Sequence, residues 1–239
     1  MKIVIVGTGY VGLVSGVCFS DWGHAVVCVD KNRGKIAALR QGVMPIYEPG
    51  LEELVARNAA AGRLRFETEL APDLSDADAV FIAVGTPPRP GDGEADLTAV
   101  FAVAEEVAEA ARGPLVVVTK STVPVGTGDI VEGIIRNRAP KADVVVVSNP
   151  EFLREGSAIG DFNVPDRVVV GANEPRGGDL VAALYDSVAV AGAPILRTSR
   201  RSAEMIKYAA NAFLATKITF INEIGGPAID AVAVNGPAT

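Results

Sequence analysis

Lys2-Ile3-Val4-Ile5-Val6-Gly7-Thr8-Gly9-Tyr10-Val11-Gly12 is the stretch on which the reading of the fold turns. Lys2 to Val6 reads as a short strand, β-branched from Ile3 onward, and a GxGxxG pattern follows it with no gap. Tyr10 to Trp22 then reads as a helix, so the glycines occupy a strand-to-helix turn. Each glycine of such a turn serves a different purpose. Gly7 permits the tight bend, Gly9 lets backbone approach a pyrophosphate, and Gly12 lets the helix pack on the strand. The opening residues of the helix, Tyr10 and Val11, offer unpaired N–H groups and the positive end of the helix dipole to an anion. A lone GxGxxG is weak evidence, but this context predicts a dinucleotide site.

The next strand-like run, Ala25-Val-Val-Cys-Val-Asp30, ends on a carboxylate roughly 20 residues beyond the turn, where an acidic residue accepts the ribose hydroxyls of the adenosine half. That charge would repel a 2′-phosphate, which favours NAD over NADP. Lys31, Arg33 and Lys35 nearby keep NADP as the alternative.

Further along, LRFET, AVFIAV, LVVVTK, VVVVSN and RVVVGA recur after helical or turn segments. The expectation is an α/β fold, Rossmann-like and doubly wound, with a mostly parallel sheet followed by a long helix. Leu97 to Arg112 shows helical spacing through Val100, Val103, Ala104, Val107 and Ala111. The Pro/Gly-rich segment from Gly85 to Gly93 follows a strand directly and is a candidate wall of the ligand site, an ordinary crossover loop being the alternative. Ser199 to Ile224 reads as the long helix, and its apolar stripe is wider than one face, so packing on several sides is expected. Gly225-Gly226-Pro227 should break that helix. The chain thus divides into a dinucleotide-binding unit at 1–198, a connecting helix at 199–224 and an irregular tail at 225–239.

Composition narrows the partners. The 239 residues are 49% hydrophobic and 21% charged, with a formal net charge of −7. That describes an ordinary globular chain with no basic field for a phosphate backbone, so nucleic acid is not expected as a partner. No apolar run approaches the roughly 18 residues of a membrane span, and Met1-Lys2 leads straight into a strand, so neither a membrane nor a signal peptide is expected and the location should be cytoplasmic. Cys18 and Cys28 lie in apolar runs and read as buried, inert thiols, and His24 as a turn residue. No metal site is expected.

Two further constellations stand out. In Asn149-Pro-Glu-Phe-Leu-Arg-Glu155-Gly156, Asn149 suits an N-cap and Pro150 a first helical residue, which would put Glu151 and Glu155 on one helical face. An acidic, solvated turn is the alternative. Lys207 and Asn211 are four apart amid apolar neighbours on the long helix, where an unpaired ammonium is costly. Either something polar meets them or the lysine reaches out to solvent.

The segments GTGYVG, PIYEPGLEEL, VGTPPRPGDGEADL, KSTVPVGT, NPEFLREG and PDRVVVG, in this order and spacing from Met1 to about Ile224, resemble the UDP-glucose/GDP-mannose dehydrogenase family. The resemblance implies an NAD-dependent, two-step oxidation of a sugar nucleotide's C6 alcohol. It passes through an aldehyde held as a cysteine thiohemiacetal to a thioester, which is hydrolysed to the acid. It places Asp30 and Lys35 on the adenosine side of NAD, and Thr86 and Thr122 near its phosphates and nicotinamide, although a strand-end threonine also caps turns. Glu151 would belong to the substrate site and assist thioester hydrolysis, with Glu155 near cofactor and water. Phe152, Leu153 and Arg154 would line the sugar-nucleotide site, and Lys207 and Asn211 would stabilise the developing oxyanion. Asp161-Phe162 with Pro165-Asp166-Arg167 resembles the UDP-glucose branch, so UDP-glucose is the expected substrate, with other sugar nucleotides as alternatives. The family also implies a homodimer built through the long helix.

The resemblance further implies a nucleophilic cysteine in a GGSCFPKD-like segment beyond the long helix, and no such segment occurs in these 239 residues. Cys18 belongs to the helix after the dinucleotide turn and Cys28 to the adenosine-side strand, so neither should reach the nicotinamide face and replace it. A truncated chain is the expected explanation, against an altered reading frame or a naturally short protein. A non-catalytic NAD-binding or assembly module is the alternative function.

Overall fold

A computed structural model describes the backbone of residues 1–234 and the side chains of residues 1–225. The apolar runs become strands β1 (Lys2–Val6), β2 (Ala25–Val29), β3 (Leu64–Glu67), β4 (Ala79–Ile82), β5 (Leu115–Thr119), β6 (Val144–Ser148) and β7 (Val168–Ala172). An eighth, β8 (Ile195–Thr198), was not anticipated from the sequence. They form one sheet in the order β3-β2-β1-β4-β5-β6-β7-β8, parallel throughout except between β6 and β7. The helices are α1 (Tyr10–Asp21), α2 (Arg33–Arg40), α3 (Leu51–Ala60), α4 (Thr98–Ala110), α5 (Thr127–Arg138), α6 (Ala158–Asn163), α7 (Pro175–Ala183), α8 (Asp186–Val190) and α9 (Arg200–Val234).

Alternation along the strands sorts the core into two layers. Ile3, Ile5, Cys28 and Phe81 face one way and pack with Leu13, Val17 and Phe19 of α1, while Val4, Val6, Val29 and Ile82 face the other and pack with Val100, Val103 and Val107 of α4. Both faces are therefore covered from β2 to β7, which is why these strands read as unbroken apolar runs, while the edge strands β3 and β8 are partly exposed. Gly16 lets α1 cross β2 closely: a Cβ there would lie 2.5 Å from the Cys28 sulfur. The order β3-β2-β1-β4-β5-β6 reverses direction between β1 and β4, and the crevice outside the carboxyl ends of these two strands is where such sheets bind ligands.

Three expectations fail. The long helix does not stop at Ile224 but continues to Val234, through Gly225-Gly226-Pro227, so the tail assigned to 225–239 is helical over its described part; residues 235–239 lie outside the described residues. Pro227 can remove one rung of the ladder at a cost of about 3 kcal/mol, but an established helix needs no new nucleus to resume beyond it. The helix is also not packed on several sides. Only its first two turns dock on the sheet, and from Asn211 to Ile224 it is exposed, Phe213 at 67% and Ile221 at 63%. The apolar stripe is wide because no partner within the described residues covers it. Lastly, residues 149–157 form a loop rather than a helix, which starts only at Ala158.

Candidate functional site

The glycine turn sits where the sequence placed it. Gly7 has φ +105°, in the left-handed region, and a Cβ there would lie 2.6 Å from the Ala83 carbonyl oxygen. A Cβ on Gly12 would lie 1.9 Å from the Gly7 carbonyl oxygen, so helix and turn close only around glycine. Gly9 differs: its backbone is extended, and a Cβ would meet nothing within 4 Å. Gly9 is the N-cap of α1, no side chain caps that end, and no acidic residue lies in its first turn. Its amides and dipole are thus left available to an anion.

Asp30 closes this side of the crevice. Burial alone would raise its carboxyl, but hydrogen bonds from the Asn32 N–H (3.0 Å), the Thr8 N–H (3.0 Å) and hydroxyl (2.7 Å) and the Lys35 ammonium (3.1 Å) prevail and hold it at about 2. The charge is therefore fixed across the physiological range. Thr8, the variable position inside the glycine motif, was not singled out from sequence. Lys35 is placed by its own helix, since the Asn32 side chain caps α2 by accepting from the Lys35 N–H at 3.0 Å. Opposite, the Thr86 hydroxyl donates to the Thr122 carbonyl oxygen at 2.8 Å, which ties the loop after β4 to the loop after β5.

The second half of the site gathers around the loop after β6. Asn149 is buried and serves as a junction instead of a helix cap: its side-chain oxygen accepts from the Tyr185 hydroxyl (2.7 Å) and the Lys120 ammonium (3.2 Å), and its amide donates to the Val169 carbonyl (2.9 Å). Those contacts replace the backbone capping bond that the local sequence favours, and so the helix starts later. Glu151 meets Lys207 at 3.0 Å, both nearly buried, and also accepts from the Leu153 N–H at 2.6 Å. The polar partner required by Lys207 is thus found across 56 residues of sequence. The Phe152 ring lies under two cations, Arg167 at 4.4 Å and Lys207 at 5.2 Å from its centroid. Arg154 is exposed and paired with Asp161 at 2.6 Å. Glu155 and Asn211 are exposed, and the structure does not bring them onto Glu151 and Lys207.

Lys120 and Glu48 are participants that the sequence did not flag. Lys120 is 2% exposed, and its ammonium reaches only neutral acceptors: the Asn149 carbonyl (3.4 Å), the Asn149 side chain and the Tyr185 hydroxyl (3.3 Å). Burial pushes it down to about 8, with Glu151 acting upward and Lys207 downward. It lines a cavity of about 340 Å³ together with Glu151, Phe152, Arg154, Tyr185 and Arg167. Glu48, from the PIYEPG segment, accepts from the Gly156 N–H (2.9 Å), the Ile159 N–H (3.2 Å) and the Tyr10 hydroxyl, and so fastens the end of the loop to the first turn of α1. Burial and that Glu48 bond push the Tyr10 hydroxyl up to about 12. Cys18 and Cys28 are buried and pushed up to about 12, neither a thiolate at neutral pH. Among the described residues, no group of three or more His, Cys, Asp or Glu side chains is placed to hold a metal ion. No helix there is long and apolar enough to cross a membrane.

An uncapped helix end after a GxGxxG turn, an ionised Asp30 at the end of β2 and a sheet that reverses at β1 and β4 define a dinucleotide-binding domain of the Rossmann class. The chain belongs to the UDP-glucose/GDP-mannose dehydrogenase family: the model of that family's NAD-binding domain matches residues 1–189, and that of its central domain matches residues 201–234. The family pattern therefore extends past Ile224, where the sequence reading ended it. A relative, the UDP-glucose 6-dehydrogenase of Rhizobium meliloti (strain 1021), is 60% identical over 226 residues, 94% of this chain and 52% of that one. Among solved structures, a UDP-glucose dehydrogenase from the archaeon Pyrobaculum islandicum matches at 46% identity and TM-score 0.89, over 94% of this chain and 52% of that one. A GDP-mannose dehydrogenase from Pseudomonas aeruginosa matches at 38% identity and TM-score 0.90, over 100% and 58%. The chain spans about half the length of the curated relatives it matches.

Proposed function

We propose that this chain holds the cofactor and part of the sugar site of a UDP-glucose 6-dehydrogenase, a cytoplasmic homodimeric enzyme that oxidises UDP-glucose to UDP-glucuronate at the expense of two NAD per sugar. The observation that carries the reading is Asp30, ionised and held at the end of β2 beside the uncapped start of α1. Space at Gly9 for a phosphate group, free amides and a carboxylate for ribose hydroxyls suit NAD, and the carboxylate disfavours a 2′-phosphate.

In this reading residues 1–198 bind NAD, with Gly7, Gly9, Tyr10, Val11 and Gly12 at the pyrophosphate and Asp30 and Lys35 at the adenosine ribose. Thr86 and Thr122 border the nicotinamide, which when bound supplies the hydride acceptor. Glu151, Phe152, Leu153 and Arg154 line the sugar nucleotide, and Glu155 stands near cofactor and water. Lys207 and Asn211 steady the oxygen on which negative charge develops. An ammonium has three donors, and Lys207 commits one to Glu151, so two remain for substrate. The exposed stripe of α9 is the dimer surface. It stays available for assembly under the second reading too, a non-catalytic NAD-binding module.

Calorimetry of the chain with NAD and with NADP tests the cofactor assignment. NAD should bind and NADP should bind at least tenfold more weakly, and Asp30→Ala should erase that preference. A folded chain, by circular dichroism, that gives no heat with NAD overturns the reading. Sustained NADH formation from UDP-glucose by these 239 residues would show that an external cysteine is not needed.

A further inference from the structure

The first two turns of α9 are held by buried charges. Arg200, 2% exposed, packs its side chain against Gly128 and places its guanidinium on Glu132 (2.6 Å), Asp129 and the Val146 carbonyl oxygen (3.2 Å). One turn on, Glu204 is also 2% exposed, and its two carboxylate oxygens accept from the N–H groups of Gly126 (2.6 Å) and Gly128 (2.7 Å). Gly126 is the N-cap of α5, at φ +95°, and no side chain from its own segment caps that helix. The first turn of α5 is thus capped by a carboxylate supplied 76 residues later. Gly126 closes the loop that begins at Ser121 and carries Thr122, whose carbonyl oxygen receives the Thr86 hydroxyl. A turn beyond Glu204, Lys207 grips Glu151 of the other loop.

We propose that Glu204 is a positioning residue for the cofactor: by capping α5 from α9 it sets the loop of residues 121–126, and with it the placement of Thr122 against the nicotinamide half of NAD. The proposal rests on the NAD reading above and adds to it a residue that touches neither cofactor nor substrate. A buried carboxylate with both oxygens committed to amides at a helix start is rigid in a way an exposed cap is not. The seating of α9 is thereby transmitted to the loop.

The test uses the 239-residue chain with NAD as titrant, in wild type, Glu204→Gln, Glu204→Ala and a core control, Val107→Ala, which lowers stability from near the C-terminal end of α4. Glu204→Gln retains one acceptor oxygen and should raise the Kd for NAD about threefold, and Glu204→Ala about tenfold, a range typical of such coupling. Val107→Ala should leave it within twofold despite a comparable loss of Tm. Amide hydrogen exchange across residues 121–128 should quicken in both Glu204 variants and not in the control. Wild-type Kd in both Glu204 variants, or equal weakening in Val107→Ala, overturns the proposal; if Glu204→Ala does not fold, Glu204→Gln decides. A wild-type chain that fails to bind NAD overturns the functional reading instead, and exchange then decides alone: unchanged loop protection in Glu204→Gln overturns the role of Glu204.

Discussion

Replacing Lys120 by Met should stabilise this chain at neutral pH, and the gain should shrink in alkali. Lys120 is buried, and its hydrogen-bond partners are all neutral, so the folded state holds an ammonium that water would hold more easily. A fall from 10.5 to about 8 corresponds to about 3 kcal/mol against the folded state below pH 8, at about 1.4 kcal/mol per pH unit. Between pH 8 and 10.5 the unfolded chain keeps the proton and the folded chain does not, so the lysine's contribution to stability rises with pH across that window. Cys18 and Cys28, pushed from 9.0 to about 12, act in the opposite sense, because above pH 9 the unfolded chain loses protons that the folded chain retains. The difference between wild type and Lys120→Met removes their contribution. Methionine fills similar volume, and the Tyr185–Asn149 hydrogen bond of 2.7 Å survives without the ammonium. Urea denaturation followed by circular dichroism at pH 7, 8 and 9.5 should give a more stable variant at pH 7, with the gap closing by about 2 kcal/mol at pH 9.5. A gap independent of pH, or a less stable variant at pH 7, would refute the reasoning.

Two glycine substitutions should separate fold from binding: Gly12→Ala, whose Cβ would lie 1.9 Å from the Gly7 carbonyl oxygen, should cost more than about 3 kcal/mol in thermal unfolding, whereas Gly9→Ala, with open space, should stay within about 1 kcal/mol yet weaken NAD at least tenfold in calorimetry. Lys207→Met leaves Glu151 buried without its partner and should cost about 3–5 kcal/mol in urea denaturation, while the double variant with Glu151→Leu should recover much of that. Ile218→Asp with Ile221→Asp, both on the exposed stretch of α9, should shift sedimentation from dimer to monomer without lowering Tm of the NAD-binding unit by more than a degree or two. An unchanged sedimentation profile would place any dimer contact elsewhere.

What the sequence made legible was local or periodic. Six strands were readable because each is an apolar run buried on both faces, β3 because Leu64 and Phe66 alternate with Arg65 and Glu67, and the glycine turn and Asp30 because their spacing is fixed by one βαβ unit. β8 escaped because, in Ile195-Leu-Arg-Thr198, burial is partial and two of four residues are exposed, the mark of an edge strand. Asn149 shows the limit in another way. Its local signal as an N-cap is sound, but Lys120, Tyr185 and Val169 claim its side chain from three other elements, and no window of sequence contains that competition. Glu48 and Glu204 are capping residues of the same kind, each supplying a helix start from far along the chain. Lys120 stood in plain view at the end of LVVVTK, where a lysine after a strand reads as solvated.

The places where local rules fail converge on one region. Lys120, Lys207 and Glu151 are buried or nearly so around the same loop, two cations against one carboxylate. A fold under selection for stability alone would place apolar side chains there, since a buried pair rarely outperforms them and a third, unpaired charge is a net cost. Such costs persist where the charges act on something that is not part of the chain. The excess is positive, the cavity beside it is lined by Phe152 and Arg154 of that loop, and the dinucleotide turn is tied to the loop through Tyr10 and Glu48. A ligand carrying negative charge, or a reaction that develops it on an oxygen, would find its compensation already in place, which is the use that the proposed sugar-nucleotide oxidation would make of it.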